Sequence, residues 1–278
     1  MIRAYTSLPF NFISPIVGHL STHEIPVSWR KTVLGGIASL TGMRMDEASE
    51  ESFEAYPSFA ALFNRELKEF IRPISACQLV SPADGRVLHF GEIVEGRIES
   101  VKERDYDIKD FIGPAKIETK PKNKLYQIVI YLAPADYHAF HSPASWDVNE
   151  KIHHPGFLLS VNPYFFNLIP TLLAINERVA LCGKWKHGFF SYTAVAATNV
   201  GDIVIGTKSH KSREKLRYRT VDHEVFDEHY SYKKGEKVGE FRAGSTIVLI
   251  FEAPPELRFA IKAGDKLKYG QSLIVKDV

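Results

Sequence analysis

A chain of 278 residues with 45% apolar, 24% charged and 12% aromatic side chains has the composition of a folded protein. Disordered, collagenous and low-complexity classes are excluded, and there is material for one large domain or a core with a smaller appendage. Lys plus Arg (35) against Asp plus Glu (33) leave a formal charge of +2, so nothing global asks for a nucleic-acid partner and any electrostatic preference is local.

No uncharged apolar run reaches the roughly 18–20 residues needed to cross a bilayer. Pro9 and Pro15 interrupt the apolar stretch 8–17, which shows no clean signal-peptide pattern. No targeting or transmembrane segment is therefore expected within residues 1–278. The helical spacing of Phe59, Leu62, Phe63, Leu67 and Phe70 among charged neighbours predicts a helix over about 46–70, after a first one over about 27–45. Arg72-Pro73 ends the second. The texture then changes: 127–132, 189–195, 203–205 and 247–251 are short, β-rich and bounded by Gly or Pro, which predicts strands. One helix, about 164–176, interrupts them, and no internal repeat is present. From the residues alone the class is α+β.

Lys208, Lys211, Arg213, Lys215, Arg217 and Arg219 crowd around a single acid, Glu214. They form a solvated loop or a contact for anionic lipid headgroups. Cys77 and Cys182 have neither metal spacing nor the numbers for a disulfide framework, so two reduced, buried thiols are expected.

Three stretches place reactive side chains beside turn-forming residues: Ser81-Pro82-Ala83-Asp84-Gly85, Asp136-Tyr137-His138-Ala139-Phe140-His141-Ser142-Pro143, and Ala243-Gly244-Ser245-Thr246. Asp84 by itself reads as a turn carboxylate bonding its own backbone. His138 and His141 sit on a loop at a strand end, either as structural histidines or as part of a site. No third ligand stands at zinc spacing, so no metal is expected. Gly244-Ser245 is explained by a turn entering a strand, yet its chemistry is specific. A serine hydroxyl beside an unobstructed glycine carbonyl can attack it once a base removes the proton. His141 and Asp84 would complete the logic of nucleophile, base and orienting carboxylate.

Together these stretches resemble the phosphatidylserine decarboxylases, a pyruvoyl-dependent family that cuts itself at a Gly-Ser bond. Further blocks carry the resemblance: 63–68 with Arg72-Pro73-Ile74, Ser160-Val161-Asn162-Pro163, 176–179, 185–190, 197–201, 234–236 and 239–241. The similarity runs from about Phe59 to the C-terminus and is nearest the family's mitochondrial form through 244–254. Ala243 stands where the family usually has leucine, and Glu103-Arg104 replaces a glycine-containing turn.

The resemblance implies a β-rich core akin to a barrel-sandwich hybrid with N-terminal helices packed alongside. Residues 1–75 would form a helical, membrane-facing region and 76–278 the catalytic domain. It further implies that His141, oriented by Asp84, activates Ser245 against the Gly244 carbonyl, dividing the chain into 1–244 and 245–278. Residue 245 would become the pyruvoyl group that forms a Schiff base with the substrate amine. His138 is the candidate acid for reprotonation. The implied reaction turns phosphatidylserine in a membrane into phosphatidylethanolamine, catalysed by a homodimer peripheral to the mitochondrial inner membrane. Phe10, Phe12, Ile13, Ile16 and Val17, or the stretch 164–170, would meet the lipid, unless they are core packing or a dimer contact. Three rivals remain: a serine hydrolase, lowered by the absence of a GxSxG elbow around Ser245; a non-catalytic lipid-binding protein; and a pyruvoyl enzyme for a soluble amino acid.

Overall fold

The β-branched and aromatic runs assemble into one large antiparallel sheet, and this sheet carries most of the core. The structure, a computed structural model, describes residues 21–98, 106–169, 171–197, 203–206, 208–210, 220–241 and 245–276. In chain order the strands are β1 (Gly85–Ile93), β2 (Arg97–Ile98), β3 (Tyr106–Asp107), β4 (Lys124–Leu132), β5 (Ala139–His141), β6 (Trp146–His154) and β7 (Arg178–Trp185). They continue with β8 (Gly188–Ala196), β9 (Ile203–Ile205), β10 (Lys208–His210), β11 (Asp222–Tyr232), β12 (Lys237–Phe241), β13 (Ser245–Ala253) and β14 (Lys266–Leu267). The main sheet has the order β11-β6-β7-β8-β13-β4-β1-β14, and a second has β10-β9-β12-β5.

β13 lies between β4 and β8, and all nine of its residues are buried. Its unbroken run Ile247-Val248-Leu249-Ile250-Phe251 suits a strand covered on both faces rather than one that alternates between core and solvent. The smaller sheet packs onto the larger through Phe140 of β5, whose ring lies 4.8 Å from Phe241 of β12 and 5.8 Å from Tyr192 of β8. The class is α+β, and among the described residues the strands close into no barrel.

The helices are shorter than the periodicity predicts. Helix α1 (Val27–Thr41) stops where Gly42 adopts a left-handed φ of 80° and its N–H returns to the Ala38 carbonyl. Over 46–70 only α2 (Phe59–Phe63) is α-helical, flanked upstream by 3-10 turns at Met45–Glu47 and Phe53–Ala55. Pro57 is the break: the residue before it is held extended, and Ser58 then restarts the chain by accepting the Ala61 N–H at 3.2 Å. After α3 (Ile108–Ile112), the helix predicted over 164–176 is two pieces, α4 (Pro163–Leu168) and α5 (Leu172–Ile175). Ile169 precedes Pro170 and is extended, as a pre-proline residue must be. Leu34, Ala38, Met43, Tyr56, Leu62 and Phe63 form a second, smaller core that reaches Ala135 on the loop before β5.

Candidate active site

The turn into β1 is fixed locally, with Ser81 Oγ donating to the Ala83 carbonyl at 2.8 Å. Gly85 has to be glycine because a Cβ there would stand 2.5 Å from the Tyr131 carbonyl oxygen of β4. Between them Asp84 is buried. Its carboxylate accepts from Arg72 Nη2 at 2.7 Å and Nε at 3.2 Å, from Lys268 Nζ at 3.2 Å and from the Tyr269 backbone N–H at 2.9 Å. Glu47 pairs with the same Arg72 and Lys268, so two acids and two bases share one network, buried at Arg72 and Asp84 and reaching solvent at Lys268.

His141 ends β5, and its N–H donates to the Pro82 carbonyl at 2.7 Å, which binds the strand to the turn that carries Asp84. The imidazole lies flat on the Tyr269 ring, 4.0 Å away and tilted by 3°. Its Nδ1 is 2.9 Å from the Gly235 carbonyl oxygen. A carbonyl can only accept, so the proton sits on Nδ1 and the lone pair on Nε2. Nε2 is buried with no hydrogen-bond partner. Burial lowers the pKa to about 4, although the Gly235 bond and the Asp84 charge act in the other direction. At neutral pH this is an uncharged base with its lone pair free.

His138 repeats the arrangement three residues earlier, just before β5. It is fully buried, Nδ1 is 2.9 Å from the Asp136 carbonyl oxygen, the ring lies 4.0 Å from that of Phe63, and Nε2 has no partner. Burial is the main cause that lowers its pKa to about 3.

Ser245 opens β13, opposite Leu132 on β4 and Ala196 on β8. It is fully buried, and its Oγ, like Thr246 Oγ1, has no partner. Gly244 lies outside the described residues. Phe241 donates its N–H to the His138 carbonyl at 3.0 Å, and four residue steps of at most about 3.6 Å bring the chain from there to Ser245, within about 14 Å. From the other side, Thr246 and Arg86 both face Tyr131 of β4. The starts of β13 and β1 are thus two strand spacings apart, about 10 Å, at the same end of the sheet.

Asp84 and His141 thus come together through Pro82 and Tyr269, and His138 is tied to the strand that leads toward Ser245. In one respect the geometry differs from the expected triad. The acceptor on His141 Nδ1 is the Gly235 carbonyl, while Asp84 reaches the imidazole through the Tyr269 backbone and ring.

A family model for phosphatidylserine decarboxylase matches residues 59–275 of this chain. The chain belongs to the phosphatidylserine decarboxylase family. It is 54% identical over 279 residues to the mitochondrial phosphatidylserine decarboxylase proenzyme of Caenorhabditis elegans, covering 100% of this chain and 74% of that protein. Its identity to the mitochondrial proenzyme of Pongo abelii is 38%, over 98% of this chain and 73% of the relative. With the mitochondrial proenzyme 1 of Saccharomyces cerevisiae it is 32%, over 97% and 73%.

For a member of this family, the lipid-contact expectations need one correction. Phe166 and Ile169 belong to the core and Phe165 and Leu168 pack against it, so among the described residues of the segment Tyr164 is the only large hydrophobic side chain that is well exposed. Core packing accounts for that stretch. Residues 10–17 and 211–219 lie outside the described residues. Arg72, Lys268, Tyr269 and the Gly235 carbonyl were missed by sequence reasoning. Arg72 was legible only as a helix end and as part of the block Arg72-Pro73-Ile74, with no role attached, and a backbone carbonyl 94 positions from His141 leaves no trace in side-chain identity.

Proposed function

We propose that this chain is the proenzyme of a pyruvoyl-dependent phosphatidylserine decarboxylase that cuts itself between Gly244 and Ser245. One observation carries the reading: Ser245 Oγ, His141 Nε2 and His138 Nε2 are reactive atoms, buried and unpartnered, where buried polar atoms normally have partners. A hydroxyl in this state, with a neutral histidine presenting a free lone pair, fits the precursor of the prosthetic group.

In the proposed processing, His141 Nε2 takes the Ser245 hydroxyl proton and Oγ attacks the Gly244 carbonyl carbon. The peptide C–N bond breaks in favour of an ester, and the nitrogen takes up the proton. Loss of the Ser245 α-proton then breaks the Cβ–O bond, releasing the Gly244 carboxylate and leaving dehydroalanine. Tautomerisation and addition of water replace the nitrogen, as ammonia, with a ketone. The resulting pyruvoyl group supplies an electron sink that no amino-acid side chain offers. His138, with its proton held on Nδ1 by the Asp136 carbonyl, has Nε2 free to take a proton from the substrate's ammonium and return it to the α-carbon as carbon dioxide leaves. Burial excludes bulk water from both histidines.

Phosphatidylserine is presented in a membrane. Among the described residues no helix is long and apolar enough to span one. The exposed side chains of Trp29, Leu40 and Phe70 in the N-terminal region support contact with a lipid surface. A homodimer at the mitochondrial inner membrane completes the reading, and the relatives' names support the organelle.

Mass spectrometry of lipid-active protein tests it. The expected result is two polypeptides, 1–244 and 245–278, the shorter beginning with a keto-acyl end, and a single uncut chain for Ser245→Ala. Decarboxylation by wild-type protein that remains one chain overturns the reading.

A further inference from the structure

Arg65 is a buried charge to which this mechanism assigns no role. It follows α2 and is 3% exposed. Its Nη2 donates to the Ala135 carbonyl at 3.0 Å, whereas Nε and Nη1 donate to nothing. Arginine is rarely buried without a partner, and the contrast inside this protein is direct. Arg72, comparably buried, is paired with both Asp84 and Glu47. Asp84, Glu47 and Asp136 act on Arg65 through space without touching it, and burial lowers its pKa despite them. The guanidinium is therefore a desolvated cation with unused donors.

Its position is beside the reacting groups. Phe63, two residues earlier, packs on the His138 ring. Asn64 Nδ2 donates to Glu240 Oε1 at 3.2 Å, and Glu240 faces Ala139 across the β12–β5 pairing. Ala135, which holds Nη2, lies three residues before His138, and the Arg65 charge is among those acting on that histidine. The segment Phe63-Asn64-Arg65 is thus seated along the loop that carries His138.

We propose that Arg65 binds the phosphodiester monoanion of the serine headgroup, an assignment that rests on the decarboxylase reading. The headgroup carries two anions, and the chemistry separates them. The carboxylate loses its charge as carbon dioxide forms, so a buried cation paired with it would stabilise the ground state more than the transition state and oppose the reaction. The phosphodiester keeps its charge throughout, so a cation on it contributes uniform binding. It also lies only a short N–Cα–Cβ–O–P path from the amine, as close packing of Arg65 with the His138 loop requires. Charge-assisted hydrogen bonds to phosphate are what arginine forms best.

The test compares phosphatidylserine with its methyl phosphotriester, identical in acyl chains and carboxylate, in nonionic-detergent micelles. Wild-type protein is expected to show a KM about 30-fold higher for the triester. Arg65→Gln should raise KM for the diester about 30-fold, leave kcat within about threefold and close the gap between the two substrates. Equal losses on both substrates, or a fall in kcat with KM unchanged, would assign Arg65 to the carboxylate or to structure and overturn the proposal. If Arg65→Gln does not give folded, self-cleaved protein, the uncharged Arg65→Met decides: a narrowed ratio supports the phosphodiester and an unchanged ratio refutes it. Absence of wild-type turnover on the diester removes the parent reading and this one with it; failure of the substrate ratio alone removes only this one.

Discussion

His141 and His138 each have one ring nitrogen tied to a backbone carbonyl and one left bare, and the burial of both rings sets how acid affects the protein. With His154, they are histidines whose folded pKa values, about 4, 3 and 4, lie below the ordinary 6.5 because burial disfavours the charged ring. In the window between those values and 6.5 the unfolded chain binds more protons than the folded one. Stability is therefore fully present above pH 6.5 and is lost as pH falls, at up to about 1.4 kcal/mol per pH unit for each histidine. Urea midpoints measured between pH 7.5 and 5 should decline, most steeply below 6.5; a flat profile would show that these rings are not held neutral by burial. The same low pKa values explain why a carbonyl suffices where a carboxylate was expected on His141. A neutral imidazole needs its tautomer fixed, and Gly235 does that. Residue identities made Asp84, His138, His141 and Ser245 visible as chemistry. They did not reveal Tyr269 or Arg65, because an arginine in the charged run Arg65-Glu66-Leu67-Lys68-Glu69 reads as solvent-facing until its environment is known.

At the level of elements, the turn into β1 is set by space. A side chain at Gly85 meets the Tyr131 backbone oxygen at 2.5 Å and the Ile130 side chain at 2.9 Å, and backbone cannot move aside as the end of a flexible side chain can. Gly85→Ala should cost about 1–3 kcal/mol and displace Asp84; an unchanged thermal midpoint would count against this packing. Strands β4, β8 and β13 were legible, unlike β1, β6, β7 and β11 with their interspersed charges, because burial on both faces shows as continuous apolar runs, as in Ile247–Phe251. The long helix over 46–70 was not, because Phe59, Leu62, Phe63 and Leu67 satisfy a helical spacing while Pro57 and the Ser58 cap confine the helix to one short stretch. Leu67 instead bridges back to Ala48 as isolated extended backbone. Apolar spacing records which residues are buried, and several backbone paths can bury the same set.

For the whole molecule, the proposed scission falls at the start of the most enclosed strand. Residues 245–276 supply β13 at the centre of the main sheet and β14 at its edge, and they reach back across the structure: Ser75 donates its N–H to the Gly270 carbonyl at 2.8 Å. They also carry Lys268 and Tyr269, which hold Asp84 and cover His141. In that proposal the candidate site is shared between the two products, and the shorter one is buried too extensively to leave a folded partner. Native gel filtration in rising urea should keep the fragments together until the whole protein unfolds; early loss of 245–278 would refute that shared core.

By itself the sequence determined the α+β class, the strands β4, β8 and β13 of the central sheet, and the residue types of the carboxylate, imidazole and hydroxyl. These are properties of residue type and local spacing, which neighbours within a few positions suffice to specify. Only the tertiary structure decided that Gly235 orients His141, that Arg72 and Lys268 occupy Asp84, that the hydrophobic side chains of 165–169 pack in or against the core, and that Arg65 is buried with donors to spare. Each depends on chain segments brought together across tens to hundreds of residues, and the desolvation that gives those contacts their energy exists only once they have met.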